Sequence, residues 1–161
     1  MTDGKGLLAY LAGCIDCDGF ITLTARRSSK RRKDGSLGPT HRYCIAIIGL
    51  GQITPLIPRL MQATFGGTVA EYDYPDRPRS RTSYGWQITN AQAAIAIRAM
   101  RPYLRLKTEQ ADLVLAFVER QGQFPRGKRL PEGETEQREA MSQRVVALNH
   151  GRRWNREFPN V

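Results

Sequence analysis

Leu11-Ala12-Gly13-Cys14-Ile15-Asp16-Cys17-Asp18-Gly19 closes an apolar run that begins at Leu7. Leu7, Leu8, Leu11, Cys14 and Ile15 recur at helical spacing, which predicts a helix from Leu7 to about Asp18. Ala9, Gly13 and Cys17 form a second stripe, each four residues after the last. Small side chains at that spacing let two helix backbones approach closely, so these three are candidate dimer-interface residues. Asp16 and Asp18 stand at the C-terminal end, where the helix dipole is negative and an acid needs a compensating cation. Gly19 ends the helix, and Phe20 to Arg26 alternates like a strand.

Composition bounds the partner. The chain has 161 residues, a formal net charge of +10 and 40% apolar residues. That is long enough for a sizeable core. A folded domain this basic implies a polyanionic partner, most often nucleic acid. We expect a single domain over 1–161, with a core of about 5–120 and a C-terminal helix and basic tail over about 121–161. No apolar run reaches membrane-spanning length, so no membrane partner is expected. No convincing secretion signal precedes the apolar run. Three cysteines argue against a disulfide framework and for a reducing, intracellular compartment: a bacterial or phage-infected cytoplasm, or an organelle. Cys14, Cys17, His41 and Cys44 could in principle hold zinc. The stronger reading packs Cys14 into the core and Cys17 into the small-residue seam.

Along the chain, Phe20 to about Ala25 predicts a strand with Ile21, Leu23 and Ala25 on one face and Thr22, Thr24 and Arg26 on the other. From Arg26 to Lys33, six residues in eight are basic, Arg27 and Lys30 among them, and Asp34-Gly35 signals a tight turn. A basic hairpin tip suits the phosphates flanking a duplex. A second strand is expected over Arg42 to Ile48, burying Tyr43, Ile45 and Ile47 and turning Arg42 outward. Gly49-Leu50-Gly51 is read as a break. Thr54 should cap a helix to about Thr64, with Pro55 at its first position. Strand three is expected over Thr68 to Tyr74, a turn over Pro75 to Pro78, and strand four up to Thr89. In strand four Arg79, Arg81, Ser83, Gly85 and Gln87 share one face, opposite Tyr84, Trp86 and Ile88. Arg and Gln can bond bidentately to guanine and adenine edges. Asn90 should cap a helix to Met100. Further helices are expected over Lys107 to Gln121 and Glu134 to Leu148, before a tail with Arg152 and Arg153. The fold class is α+β: one four-stranded antiparallel sheet with helices on one face.

The nine-residue stretch resembles the LAGLIDADG motif of homing endonucleases, with seven of nine positions matching and Cys14 and Cys17 replacing Leu and Ala. Pro102-Tyr103-Leu104-Arg105-Leu106-Lys107, Gln110 to Leu115 and Ala147-Leu148-Asn149 look like later regions of the single-motif, homodimeric members. The resemblance implies an αββαββα core with C-terminal helices and a DNA-binding sheet. It implies an intron-encoded, site-specific double-strand DNA endonuclease, cutting a long pseudo-palindromic site as a homodimer with Mg2+ or Mn2+. Residue by residue, it carries metal binding onto Asp18 and the Cys17 carbonyl, helix-end structure onto Asp16, and an active-site lysine onto Lys107. The family puts a Gln after strand two; here the candidate catalytic Gln52 follows an altered stretch, Gly49 to Gln52, and is either that Gln displaced by a small insertion or unrelated to it. The alternative is a non-cleaving binder on the same fold: an intron RNA maturase or a DNA-binding regulator. A basic RNA-binding domain without metal would explain the charge but not the motif.

Overall fold

The computed structural model describes residues 4–31, 33–73, 81–124 and 130–150, Lys30 by its backbone alone. The elements are α1 (Gly4–Asp18), β1 (Gly19–Arg31), β2 (Leu37–Gln52), α2 (Leu56–Phe65), β3 (Thr68–Tyr72), β4 (Ser83–Thr89), α3 (Asn90–Met100), α4 (Thr108–Gly122) and α5 (Glu134–His150). The strands form one antiparallel sheet in the order β1-β2-β4-β3. The α+β architecture expected from the sequence is present.

Residues directly opposite across an antiparallel pair share a face. Ile21 faces Ile48, Leu23 faces Ala46, Ile48 faces Ile88 and Leu50 faces Trp86, and all of these side chains are buried in the core. Full burial of each large one contributes roughly 1.5–3 kcal/mol. The opposite face is open and carries Phe20, Thr22, Thr24 and Arg26 of β1, Ser83 and Gln87 of β4, and Thr68 and Tyr72 of β3.

This register corrects the reading of β2. Cys44, Ala46, Ile48 and Leu50 point to the core, while Tyr43 and Ile45 lie on the open face; Ile47 shares that face yet is buried, as expected. The alternation Tyr43-Ile45-Ile47 was as apolar as its complement, and pairing with β1 chose between them. Ala25 shares the face of Ile21 and Leu23 but is exposed, although its cross-strand partner Cys44 is buried. Gly49-Leu50-Gly51 does not end the strand: β2 runs through it to Gln52. The helix α2 begins at Leu56 rather than behind Thr54. Pro55 occupies the cap, and its carbonyl accepts from the Arg59 N–H at 2.9 Å. The end of predicted strand three at Tyr74 and the Pro75–Pro78 turn fall outside the described residues, as do Arg79, Arg152 and Arg153.

Two contacts fix the ends of elements. Gly67, at φ +87°, passes so close to β4 that an added Cβ would lie 2.3 Å from Ile88 Cγ2. The Trp86 indole N–H donates to the Gly66 carbonyl at 2.8 Å, holding the end of α2 against the sheet. The last helix, α5, lies along the free edge of β1. Ser142 Oγ donates to the Leu23 carbonyl at 2.5 Å and Asn149 Nδ2 to the Ile21 carbonyl at 3.1 Å. An edge strand with unmet carbonyls invites intermolecular pairing, and α5 covers this one. Its buried stripe is mostly polar: Glu134, Arg138, Ser142 and Val145.

Candidate active site and nucleic-acid face

The helix α1 delivers two acids to its C-terminus, and the structure treats them differently. Asp16 is only 7% exposed. Its Oδ2 accepts the backbone N–H groups of Arg105 (2.6 Å) and Leu106 (3.1 Å), and its Oδ1 accepts that of Lys107 (3.0 Å). The carboxylate is thereby committed to clamping the segment between α3 and α4. Asp18 is exposed, and its Oδ2 accepts a hydrogen bond from Gln52 Nε2 at 2.8 Å. The helix end has the cation that the sequence demanded. Lys107 Nζ donates to the carbonyls of Ile15, at 2.8 Å, and of Asp16. Positive charge on the last carbonyls offsets the dipole that both acids oppose.

Gly19 makes the turn from α1 into β1. A Cβ there would meet Ile15 Cα at 2.8 Å and the Gly49 carbonyl at 2.9 Å. That close approach sets Gly19 opposite Leu50, and so brings Gln52, at the end of β2, alongside Asp18. The pairing through Gly49 to Gln52, which looked altered in sequence, is what places the amide. An open cleft of about 440 Å3 adjoins this corner, lined by Gly19, Phe20, Thr22, Lys107 and Asn149.

The residues expected to touch nucleic acid separate into groups. Thr22, Thr24, Arg26, Ser83 and Gln87 share the open sheet face, and Arg81 is exposed just before β4. Lys30 lies in the extended part of β1. Arg27 pairs with Arg42 and so points to the other side of the hairpin, where it is exposed. Arg42 is not on the open face, contrary to expectation. Its guanidinium is bonded to Glu136 and Glu139 of α5, each at 2.9 Å. The cause is the β2 register described above, since Arg42 has the parity of Cys44 and Ala46.

The expected interface residues Ala9, Gly13 and Cys17 lie in line on the exposed side of α1. A Cβ at Gly13 would meet nothing within 4 Å. The three cysteines are free thiols. Burial pushes the thiols of Cys14 and Cys44 above their usual range, which keeps both protonated. His41 and Cys44 point to opposite faces of β2, so the four residues considered for zinc are not brought together. Sequence reading missed Phe20 and Tyr72 as features of the open face. Phe20 shares the parity of Thr22 and Thr24, and that alternation was the available signal.

No protein-family model matches the chain, and no curated protein matches it. Solved structures do. The homing endonuclease I-CvuI, in complex with the I-CreI target and Mg with the DNA not cleaved, aligns at 21% identity with a TM-score of 0.59, covering 92% of this chain and 85% of that one. The I-LtrWI LAGLIDADG homing endonuclease bound to target DNA aligns at 17% identity with a TM-score of 0.53, covering 73% of this chain and 38% of that one. The group I intron-encoded I-CeuI, complexed with DNA, aligns at 14% identity with a TM-score of 0.50, covering 73% and 56%. The fold is that of the LAGLIDADG homing endonucleases. Among the described residues, no helix is long and apolar enough to cross a membrane.

Proposed function

We propose that this chain is a divalent-metal-dependent, site-specific endonuclease that cuts both strands of a long pseudo-palindromic DNA site as a homodimer. The observation that carries this reading is the division of labour between the two acids. Asp16 is consumed by three backbone N–H groups, while Asp18 remains exposed, held by Gln52 and next in the chain to Gly19, which lines a cleft together with Lys107. A binding surface gains nothing from an acid facing phosphate.

The donors suit a hard cation. Asp18 offers a carboxylate at a helix end, and the Cys17 carbonyl offers a second oxygen, which is the ligand chemistry of Mg2+ or Mn2+. Bound there, such an ion would activate water and neutralise charge on the phosphate. Gln52 holds one Asp18 oxygen by its amide N–H and leaves its own amide oxygen to orient a water. Lys107 fixes the helix end from below and sets a positive charge beside the phosphate path, where it can steady charge that develops in the transition state. One chain supplies one such acid, and a double-strand cut needs two. The exposed small stripe Ala9, Gly13 and Cys17 supports packing against a second α1, which would place the two acids side by side. Thr22, Thr24, Arg26, Arg81, Ser83 and Gln87 then face base edges, and Arg27, Lys30, Arg152 and Arg153 meet phosphates.

Gln52 at 2.8 Å from Asp18 weakens the case for the non-cleaving alternative, whose support in the sequence was the altered stretch before it. The test is nicking and linearisation of a plasmid library carrying randomised pseudo-palindromes, with Mg2+ or Mn2+. Wild type should cut, and Asp18→Asn should cut nothing. Without metal, the variant should bind duplex at least as tightly as wild type, because a carboxylate near phosphates has been removed. Equal inertness of both proteins, with tight binding to one sequence, would overturn cleavage in favour of a binder of DNA or intron RNA.

A further inference from the structure

The open sheet face holds a trough of about 210 Å3 whose walls include the rings of Phe20 and Tyr72. Both rings lie directly on glycine backbone. A Cβ at Gly49 would sit 2.5 Å from Phe20 Cζ, and one at Gly85 would sit 2.9 Å from Tyr72 Cε2. The floor between them includes Gly51 and Ala70, and Gln87 and Thr68 stand at the rim. No Asp, Glu, Lys, Arg or His lines the trough, although the chain carries a net charge of +10.

We infer that the trough between Phe20 and Tyr72 seats the 5-methyl edges of thymines in the DNA major groove, and so sets a base preference of this protein. The inference deepens the duplex-DNA reading above and rests on it. A polyanion brought to this face by the surrounding charge places its phosphates on the basic residues, not in an uncharged hollow. The major groove presents hydrogen-bonding atoms at every base pair and one apolar feature, the thymine methyl. The polar side chains of the trough are Thr68, Gln87 and the Tyr72 hydroxyl; a base donor or acceptor buried over the Phe20 ring and away from them would carry a desolvation cost. The ring and glycine surface between those groups is complementary to the methyl. The volume is several times the roughly 30 Å3 share of one water molecule, which suits the methyl-bearing edges of adjacent thymines. Gln87 at the rim can bond bidentately to the adenine of a neighbouring pair. Thymine over the trough with adenine beside Gln87 is the pattern expected.

Gly51 permits a clean test. A Cβ there meets nothing within 4 Å, and its φ is not in the left-handed region, so Gly51→Val puts apolar bulk into the trough with no backbone strain. Preferred duplexes are first selected from a randomised pool, and uracil then replaces thymine one position at a time. Wild type should prefer thymine at defined positions and bind about four-fold more weakly for each methyl removed there. Gly51→Val should lose that thymine–uracil difference while keeping base preference elsewhere and the same salt dependence. Phe20→Ser, which removes one exposed wall, should lose it as well, giving a readout independent of Gly51. Equal binding of thymine and uracil at every position by wild type overturns the trough alone. A difference that persists in both variants does the same. Absence of any sequence-selective duplex binding overturns the DNA reading and the trough with it.

Discussion

Replacing Asp16 by Asn keeps the side chain's shape and tests whether this acid is structural. Its two oxygens accept three N–H groups from residues 105–107, at 2.6, 3.1 and 3.0 Å, in a site only 7% exposed. An amide has one oxygen. If that oxygen takes the Oδ2 position, the NH2 group faces the Lys107 N–H, donor against donor; in the flipped orientation it faces two donors. The better orientation forfeits one bond to a charged acceptor, each of which contributes about 1.5–3 kcal/mol, and strands one buried donor at about 1–3 kcal/mol. Removing an acid from a helix C-terminus returns about 0.3–1 kcal/mol. The net expectation is a loss of about 3 kcal/mol. For a domain of this size that corresponds to a fall in Tm of about 6–12 °C. Asp18→Asn is the control: its amide oxygen can still accept from Gln52, and an exposed substitution of this kind changes stability by about 0.5 kcal/mol or less. Urea unfolding followed by far-ultraviolet circular dichroism reads both variants. An Asp16→Asn midpoint equal to wild type, or equal losses in the two variants, would refute the division of labour between the acids.

The second prediction concerns acid stability. Burial pushes the Glu134 carboxyl up, but its bonds to Arg120 and Arg138 outweigh this and hold it below the usual carboxylate range; Arg101 does the same for Asp112. Both folded-state values lie below the unfolded ones, so the stability they contribute is present above the unfolded carboxylate range and is lost as pH falls through the folded values. Glu134→Gln should cost about 3–5 kcal/mol at neutral pH and flatten the acid limb, since it leaves the buried Arg138 without its anion. A urea midpoint for the variant equal to that of wild type at neutral pH would contradict this. The third prediction concerns assembly. Wild type should sediment as a dimer at micromolar concentration, while Gly13→Leu, at a position where an added Cβ meets nothing within 4 Å among the described residues, should fold as a monomer. A monomeric wild type, alone and on DNA, would refute the α1 interface.

The stretch Leu11 to Gly19 determined the helix, its termination and the need for a cation at its end, because apolar spacing, terminal acids and a glycine are local signals. The four strands, their antiparallel sheet and the face carrying Thr22, Thr24 and Gln87 were also legible, since alternation of side chains follows from the pleat itself. Local patterning could not decide β2, where both alternating sets are apolar. Only its pairing with β1 buried Cys44 and Ala46 and turned Arg42 toward Glu136 and Glu139. Nor could it reveal which side of α5 is buried, because the stripe of Glu134, Arg138 and Ser142 is polar; its partners are the Arg120 guanidinium of α4, Glu134 and Arg138 for each other, and a β1 carbonyl. The candidate site shows the same division. The residue types at Asp16, Asp18 and Lys107 were written in the chain. What each one does depends on contacts between residues up to 92 positions apart: Asp16 clamping the backbone, Lys107 capping α1 and Gln52 reaching Asp18. Such contacts exist only once the sheet register and the docking of α1 against the α3–α4 segment have been set.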